Sequence, residues 1–245
     1  MTVLAACHIH SNLSYDGSYA LEVLSDKFSR GGYRVLLMTE HDRGFSPERL
    51  RQLRQLCDAA STRDLLIIPG IEYSDASNQV HILVWGDVPF LGENLPTRET
   101  LRRVREAGGV AVLAHPSRRN AWQCFEPSWG EALTGIEVWN RKYDGFAPNR
   151  IAQELQRSVG AIPFVGLDFH TERQFFPLAM AIDIDSTVTE QSVLDCIRAR
   201  RVNSRVFGFQ VDGQLVRHAL PILAVVEASR KRCASASRKI MKLRV

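Results

Sequence analysis

Paired cysteines are missing from this chain. Its five cysteines, Cys7, Cys57, Cys124, Cys196 and Cys233, are odd in number, widely scattered and nowhere arranged as C-x-x-C. That argues against a disulfide framework and against a structural zinc of the zinc-finger type, and makes a reducing compartment, the cytoplasm, the expectation. No apolar run approaches the length a membrane-spanning helix needs. Met1 to His8 has neither a basic start nor a long apolar stretch, so it is expected to be a first strand and not a secretory signal. A long linker, an internal repeat, a Ser/His/Asp arrangement and a recognisable nucleic-acid-binding motif are lacking too. What remains is a chain of 245 residues, 45% apolar and 24% charged, enough to bury a core without staples and read as one domain.

Charge is unevenly spread. Residues 230–245 carry Arg230, Lys231, Arg232, Arg238, Lys239, Lys242 and Arg244 and no acidic residue, so the net +4 of the chain becomes −3 without them. The expectation is a domain over 1–229 followed by a basic tail over 230–245. Such a tail suits nucleic acid or an anionic surface, but a solvated terminus has the same composition.

Strand-like and helix-like segments alternate. Short apolar runs predict strands over Val3 to His8, Val35 to Thr39, Leu65 to Ile71, Val80 to Trp85, Val110 to Ala114, Ile136 to Trp139 and Ile162 to Leu167. Helical patterns cover Ala20 to Arg30, Pro47 to Ala60, Arg98 to Ala107 and Pro148 to Val159, the second with Ser46 as cap and Pro47 in its first turn. Beyond Leu167 the pattern loosens, with a helix near Glu190 to Arg200 and a strand near Arg205 to Phe209. Near-continuous apolar strands between helices point to an α/β fold with a parallel sheet buried on both faces. Seven such units are expected to form a closed or nearly closed β/α barrel.

Six of the seven histidines fall at strand ends or beside other ligand types. His8 and His10 close the first strand as H-x-H. His41 follows the second in Thr39-Glu40-His41-Asp42. Glu72 ends the third, His115 ends the fifth before Pro116, and Asp168 and His170 end the seventh in Gly166-Leu167-Asp168-Phe169-His170. His81 is less tidy, standing at the start of its strand. Strand ends converge on one face of a β/α barrel, where catalytic groups gather. Mixed imidazole and carboxylate donors suit zinc, manganese or iron.

These motifs, with Asp16-Gly17 downstream of the H-x-H and Gly70-Ile71-Glu72 and His81 between, resemble the polymerase-and-histidinol-phosphatase (PHP) family over about residues 5–170. The resemblance implies a distorted seven-stranded barrel with three divalent ions. His8, His10, Glu72 and Asp168 would hold the first. Glu72 would bridge to a second that also takes His81 and His115, and Asp16, His41 and His170 would hold the third. Glu40 replaces a more usual Asp and is expected to stand behind the ligands. Phe169 replaces a small residue and is expected to shape the pocket floor.

The implied activity is a phosphoesterase acting on a small phosphorylated molecule or a nucleotide. A divalent metal lowers the pKa of bound water from roughly 15.7 toward about 7, so a metal-bridged hydroxide becomes available as nucleophile. Arg118 and Arg119, just after His115-Pro116, are expected to overhang the cluster and grip phosphate, unless they are solvated loop arginines. Asn140, Arg141 and Tyr143 are expected near the cup, with Arg173 as a further anion contact, Trp139 in the core and Glu137 behind the ligands. Hydrolysis of a carboxyl or carbamate ester, and a non-catalytic interaction module, remain open.

Overall fold

Aliphatic and β-branched runs become strands where polar caps and glycines interrupt them. The computed structural model describes residues 1–211 and, beyond them, positions 219, 221–223, 225–227 and 229. The basic tail at 230–245, Cys233 and His218 lie outside the described residues. In chain order the elements are β1 (Thr2–Ile9), α1 (Leu21–Arg30), β2 (Val35–Met38), β3 (Glu40–His41), α2 (Pro47–Ala60), β4 (Leu66–Ile68), β5 (Gly70–Ser74), β6 (His81–Trp85), α3 (Thr97–Glu106) and β7 (Val110–Leu113). They continue with β8 (Gly135–Asn140), α4 (Arg141–Asp144), α5 (Arg150–Val159), β9 (Ile162–Gly166), β10 (Leu178–Asp183), α6 (Glu190–Arg198), β11 (Val202–Val206) and β12 (Phe209–Gln210). The cap read at α2 is present, Ser46 Oγ accepting from the Arg49 N–H at 3.2 Å.

The fold is α/β, but the strands form two mixed sheets of six and not the expected closed seven-stranded barrel. The orders are β12-β11-β10-β1-β2-β4 and β3-β5-β6-β7-β8-β9. Two breaks explain the division. Thr39 separates β2 from β3 and Pro69 separates β4 from β5; the stretch read as one strand over Leu65 to Ile71 therefore contributes to both sheets, while β3 lies just beyond the strand read over Val35 to Thr39. Proline has no N–H to offer a ladder, which makes Pro69 a natural point of rupture. The sheets are not all parallel either. A strand the sequence reading missed, β10, runs antiparallel beside β1, pairing Val3 with Ile182, and carries β11 and β12 outward.

The second antiparallel feature accounts for His81. β6 runs against both β5 and β7, pairing Ser74 with His81 and Ile82 with Leu113. Its first residue therefore lies at the same rim as the last residues of its neighbours. One buried apolar core joins the two sheets. They are stitched by Leu167 N–H donating to Cys7 O at 2.9 Å, Phe169 N–H to His8 O at 3.0 Å and the Trp85 indole to Met38 O at 2.7 Å. Among the described residues no helix is long and apolar enough to cross a membrane.

Gly70 sits at this seam. A Cβ there would stand 2.5 Å from Met38 O and 2.6 Å from Trp85 Nε1, the two atoms of the stitching bond. Gly70→Ala is expected to cost about 1–3 kcal/mol by overpacking, lowering Tm by several degrees. Calorimetry showing an unchanged Tm would mean that the Trp85–Met38 seam yields freely.

Candidate metal centre

Six segments deliver the nine candidate ligands to one rim. β1 supplies His8 and His10, and here simple alternation is broken. The pairing of β1 with β2 shifts register between Cys7 and Ile9, and His8 has φ +63°. The bulge turns His8 without losing it, because His8, His10 and Asp168 still place donor atoms within 4.8 Å of one another. His8, Glu72 and His115 form a second such group, and His10, His41 and His170 a third.

Glu72 lies at the centre. Its Oε1 is 2.6 Å from His81 Nδ1, 2.9 Å from His115 Nε2 and 3.4 Å from His8 Nε2. Its Oε2 is 3.0 Å from His41 Nδ1 and 3.5 Å from His10 Nε2. Asp168 faces the same space, with Oδ1 3.2 Å from His170 Nδ1 and 3.7 Å from His10 Nε2. Asp16, at the exposed mouth, lies 3.2 Å from His41 Nε2 and 3.1 Å from His170 Nε2. All nine are thus in one network, although Asp16 and His81 belong to none of the three tight groups. His81 keeps Nδ1 toward Glu72 and Nε2 toward Asn78 Oδ1, at 2.6 Å each.

The rim is held under strain. His8, His115 and Asp168 all have left-handed backbones, at φ +63°, +27° and +49°. Each costs on the order of 1–3 kcal/mol and persists only where its surroundings over-determine it. Glu137 does much of that. Its Oε1 is 2.9 Å from His8 Nδ1, and its Oε2 accepts from His115 N–H at 2.8 Å and Asn140 Nδ2 at 2.9 Å. It therefore stands behind the ligands, as expected. Gly166 leaves it room, since a Cβ at that position would overlap Glu137 Oε1. Glu40 likewise accepts from Ser11 N–H at 3.0 Å, Ser11 Oγ at 2.6 Å and Ser14 Oγ.

Electrostatics within the cluster are frustrated. Burial and then His41 and His170 hold His10 well below its ordinary value. Burial also works against charge on His41, but Glu72 and Asp16 more than offset it and lift the group to about 10. In the same way burial opposes a charged Glu72, yet His81, His8 and His41 draw its carboxyl well below the usual range. Four imidazole nitrogens are buried with no hydrogen-bond partner: His41 Nε2, His115 Nδ1 and the inward-facing pair His8 Nε2 and His10 Nε2. An orphaned buried polar atom costs about 1–3 kcal/mol. A divalent cation would satisfy the His8 and His10 nitrogens and relieve the crowding of imidazoles, so the donor set fits such an ion.

The remaining expectations divide. Arg118 reaches the rim, its Nη1 3.1 Å from His81 Nε2, and is fixed by Asn78 O at 2.7 Å and the Tyr143 hydroxyl at 3.1 Å. Arg119 is exposed and contacts Asn78 O at 3.3 Å. Tyr143 lies edge-on to His115, 5.0 Å between centroids. Asn140 caps α4, and Arg141 packs on Phe146 and Phe176 and not over the cluster. Arg173 is exposed in the turn Glu172–Gln174. Trp139 is core, its indole donating to Gly145 O at 3.0 Å. Phe169 is fully buried against Phe28 beneath the rim, so it is not a pocket floor. Lys142 was missed by sequence reasoning. Its Nζ lies 3.1 Å from Asp168 Oδ1 and 3.4 Å from both ring nitrogens of His170. The available signal was its place in the first turn after a strand end.

No family model and no curated protein matches the chain. Solved structures do. One is a two-domain protein from Bacteroides vulgatus described as "containing predicted PHP-like metal-dependent phosphoesterase" (18% identity, TM-score 0.65, 84% of this chain and 65% of that one). PsfC from Pseudomonas syringae matches at 17% identity and TM-score 0.61 over 95% of this chain and 99% of that one. The lesion-specific endonuclease PfuEndoQ from Pyrococcus furiosus matches at 15% and 0.57 over 81% of this chain and 56% of that one. The chain thus spans about two thirds of the Bacteroides protein and just over half of the Pyrococcus one. The fold is of the PHP type, as the motifs implied.

Binding of a divalent ion must expel the proton that His41 holds up to about 10, so apparent affinity is expected to rise with pH. Added Mn²⁺ or Zn²⁺ should raise Tm, more at about pH 8 than at about pH 6, and His10→Ala should lose most of the rise. A melting curve indifferent to metal at both pH values would sink the assignment.

Proposed function

We propose that this chain is a metal-dependent phosphoesterase. The observation that carries the reading is the pair of orphaned nitrogens, His8 Nε2 and His10 Nε2, facing Glu72 and Asp168 with the Lys142 ammonium 3.1 Å from the Asp168 carboxylate. His8, His10, Glu72 and Asp168 would hold one ion, Glu72, His81 and His115 a second, and Asp16, His41 and His170 a third. Bound there, divalent ions supply Lewis acidity and lower the pKa of water, the requirement for attack on a phosphate ester at neutral pH.

The protein's own groups bind and orient. Lys142 is a point charge at the inner wall of the rim, suited to a phosphoryl oxygen once Asp168 turns to an ion. Arg118 reaches the rim beside His81 and offers a planar fork whose orientation Asn78 and Tyr143 already set. Glu137 keeps His8 and His115 pointed inward from behind. Two cations beside an anionic ligand set fit a phosphoryl group better than a neutral acyl ester, which has no charge for them to meet.

The test is hydrolysis of p-nitrophenyl phosphate beside p-nitrophenyl acetate, with manganese supplied. Phosphatase activity is expected, falling at least about a hundredfold in Lys142→Ala, as for loss of a charge-stabilising group. Turnover of the acetate alone would favour the carboxyl-ester reading, and activity independent of metal would remove both.

A further inference from the structure

We propose that the cleft beside the metal centre selects the leaving group, and that the substrate is the monophosphate of a sugar or other polyol; the inference rests on the phosphoesterase reading. A cleft of about 240 Å³ opens directly from the cluster, since His41 and His81 line its inner end. It is smaller than the usual range of roughly 300–1,000 Å³ for drug-sized ligands. Its size suits a compact alcohol.

Its walls define the chemistry. Apart from Tyr15, every group lining it is polar, and no aliphatic side chain among the described residues contributes. An acyl chain or an unsubstituted aryl group has nothing to pack on there. Two carboxylates, Asp42 and Glu93, face it from different segments. Each has one oxygen anchored to the backbone, Asp42 Oδ2 by Ser74 N–H at 3.0 Å and Glu93 Oε1 by Gly44 N–H at 2.7 Å. The other oxygen of each is left as an acceptor. The amides of Asn78 and Asn94 add donors and acceptors. Carboxylates accept hydroxyl protons and repel phosphate, so the group seated here carries hydroxyls and no second phosphate. Arg43 shares the cleft and Arg118 lies close by at Asn78, so neither an ammonium nor a second phosphate meets walls of one favourable sign, whereas neutral hydroxyls can pair with both kinds of group.

A nucleobase is disfavoured too. The Tyr15 ring is already stacked on His41 at 4.9 Å with an interplanar angle of 20°, and the Arg43 guanidinium lies 5.5 Å from its centroid. The ring is engaged, and no other aromatic side chain besides the two histidines lines the cleft to complete a stack. Held in this way, Tyr15 forms a firm wall at the mouth.

The experiment compares kcat/KM for hexose, pentose and glycerol monophosphates with simple alkyl phosphates, nucleoside monophosphates and p-nitrophenyl phosphate. Binding of the sugar phosphates is followed in parallel by calorimetry. The polyol esters are expected to be preferred over alkyl phosphates of the same size. Glu93→Ala and Asn94→Ala should each lower kcat/KM for polyol esters about tenfold more than for p-nitrophenyl phosphate, the loss expected from one hydrogen bond to a charged or amide group. A preference for nucleotides, or equal losses on every ester in both variants, overturns the proposal. If no phosphate ester is hydrolysed but sugar phosphates bind and Glu93→Ala weakens that binding about tenfold, the cleft assignment stands and the phosphoesterase reading falls. Absence of both turnover and binding overturns the assignment itself.

Discussion

Glu72 is 1% exposed and has five imidazoles within 3.5 Å of its two oxygens. Water cannot solvate a carboxylate there, so its charge must be met by protons on histidine or by a cation, and the rest of the rim follows from that requirement. Met by protons alone, the arrangement is unequal. His41 and His8 are pushed up by their carboxylate neighbours while His10, crowded by other histidines, is pushed down. Four imidazole nitrogens are left with no hydrogen-bond partner. A cation shared among these donors removes the inequality, because neutral imidazoles and ionised carboxylates can then all face the same charge.

Such convergence has to be enforced from outside the cluster. Three of the candidate ligands adopt left-handed backbones, and one of them sits in a bulge that breaks strand pairing. The enforcement comes largely from residues with no contact to the space the ions would fill. Glu137 ties β1 and the end of β7 to the N-terminus of α4 through His8, His115 and Asn140. It occupies the volume that Gly166 leaves empty. Glu40 does the same for the loop carrying Asp16 by gathering Ser11 and Ser14, and Ser14 Oγ in turn accepts from His41 N–H at 3.1 Å. Substituting either glutamate would loosen candidate ligands that it holds in place from behind.

Most of this rim was legible in the sequence because it depends on residue type at strand ends, and apolar runs ending in histidine or carboxylate mark such positions without any tertiary knowledge. His8, His10, Glu72, His115 and Asp168 were readable in that way. The direction of β6 was not, and so His81 looked misplaced although the antiparallel register puts it on the same rim. The division into two sheets was not readable either: Pro69 interrupts an apolar run by one residue, Thr39 ends one just before the polar pair Glu40-His41, and neither feature shows that the ladders part there. β10 was hidden because its apolar stretch follows an irregular segment. Lys142 escaped notice because a lysine opening a helix has the composition of a solvated charge, and only the fold shows it 3.1 Å from Asp168.

The charges around the mouth are arranged asymmetrically, and the asymmetry assigns direction to a substrate. Lys142 and Arg118 border the cluster beside α4 and the loop after β7, while Asp42 and Glu93, with Arg43 as the one cation beside them, line the cleft. A phosphate ester has one strongly anionic end and one end whose charge depends on the alcohol. Only one orientation places the anionic end among cations and keeps it from the carboxylates. The reverse would set phosphate against Asp42 and Glu93 and leave Lys142 with no anionic partner but Asp168. Like-charge contacts of that kind discriminate more sharply than attraction alone, because they penalise the wrong pose as well as favouring the right one. In the proposed reading, the same carboxylates that would accept hydroxyls would also act on the phosphoryl group at a distance, so that selection of the alcohol and alignment of the ester would be one electrostatic property of the site.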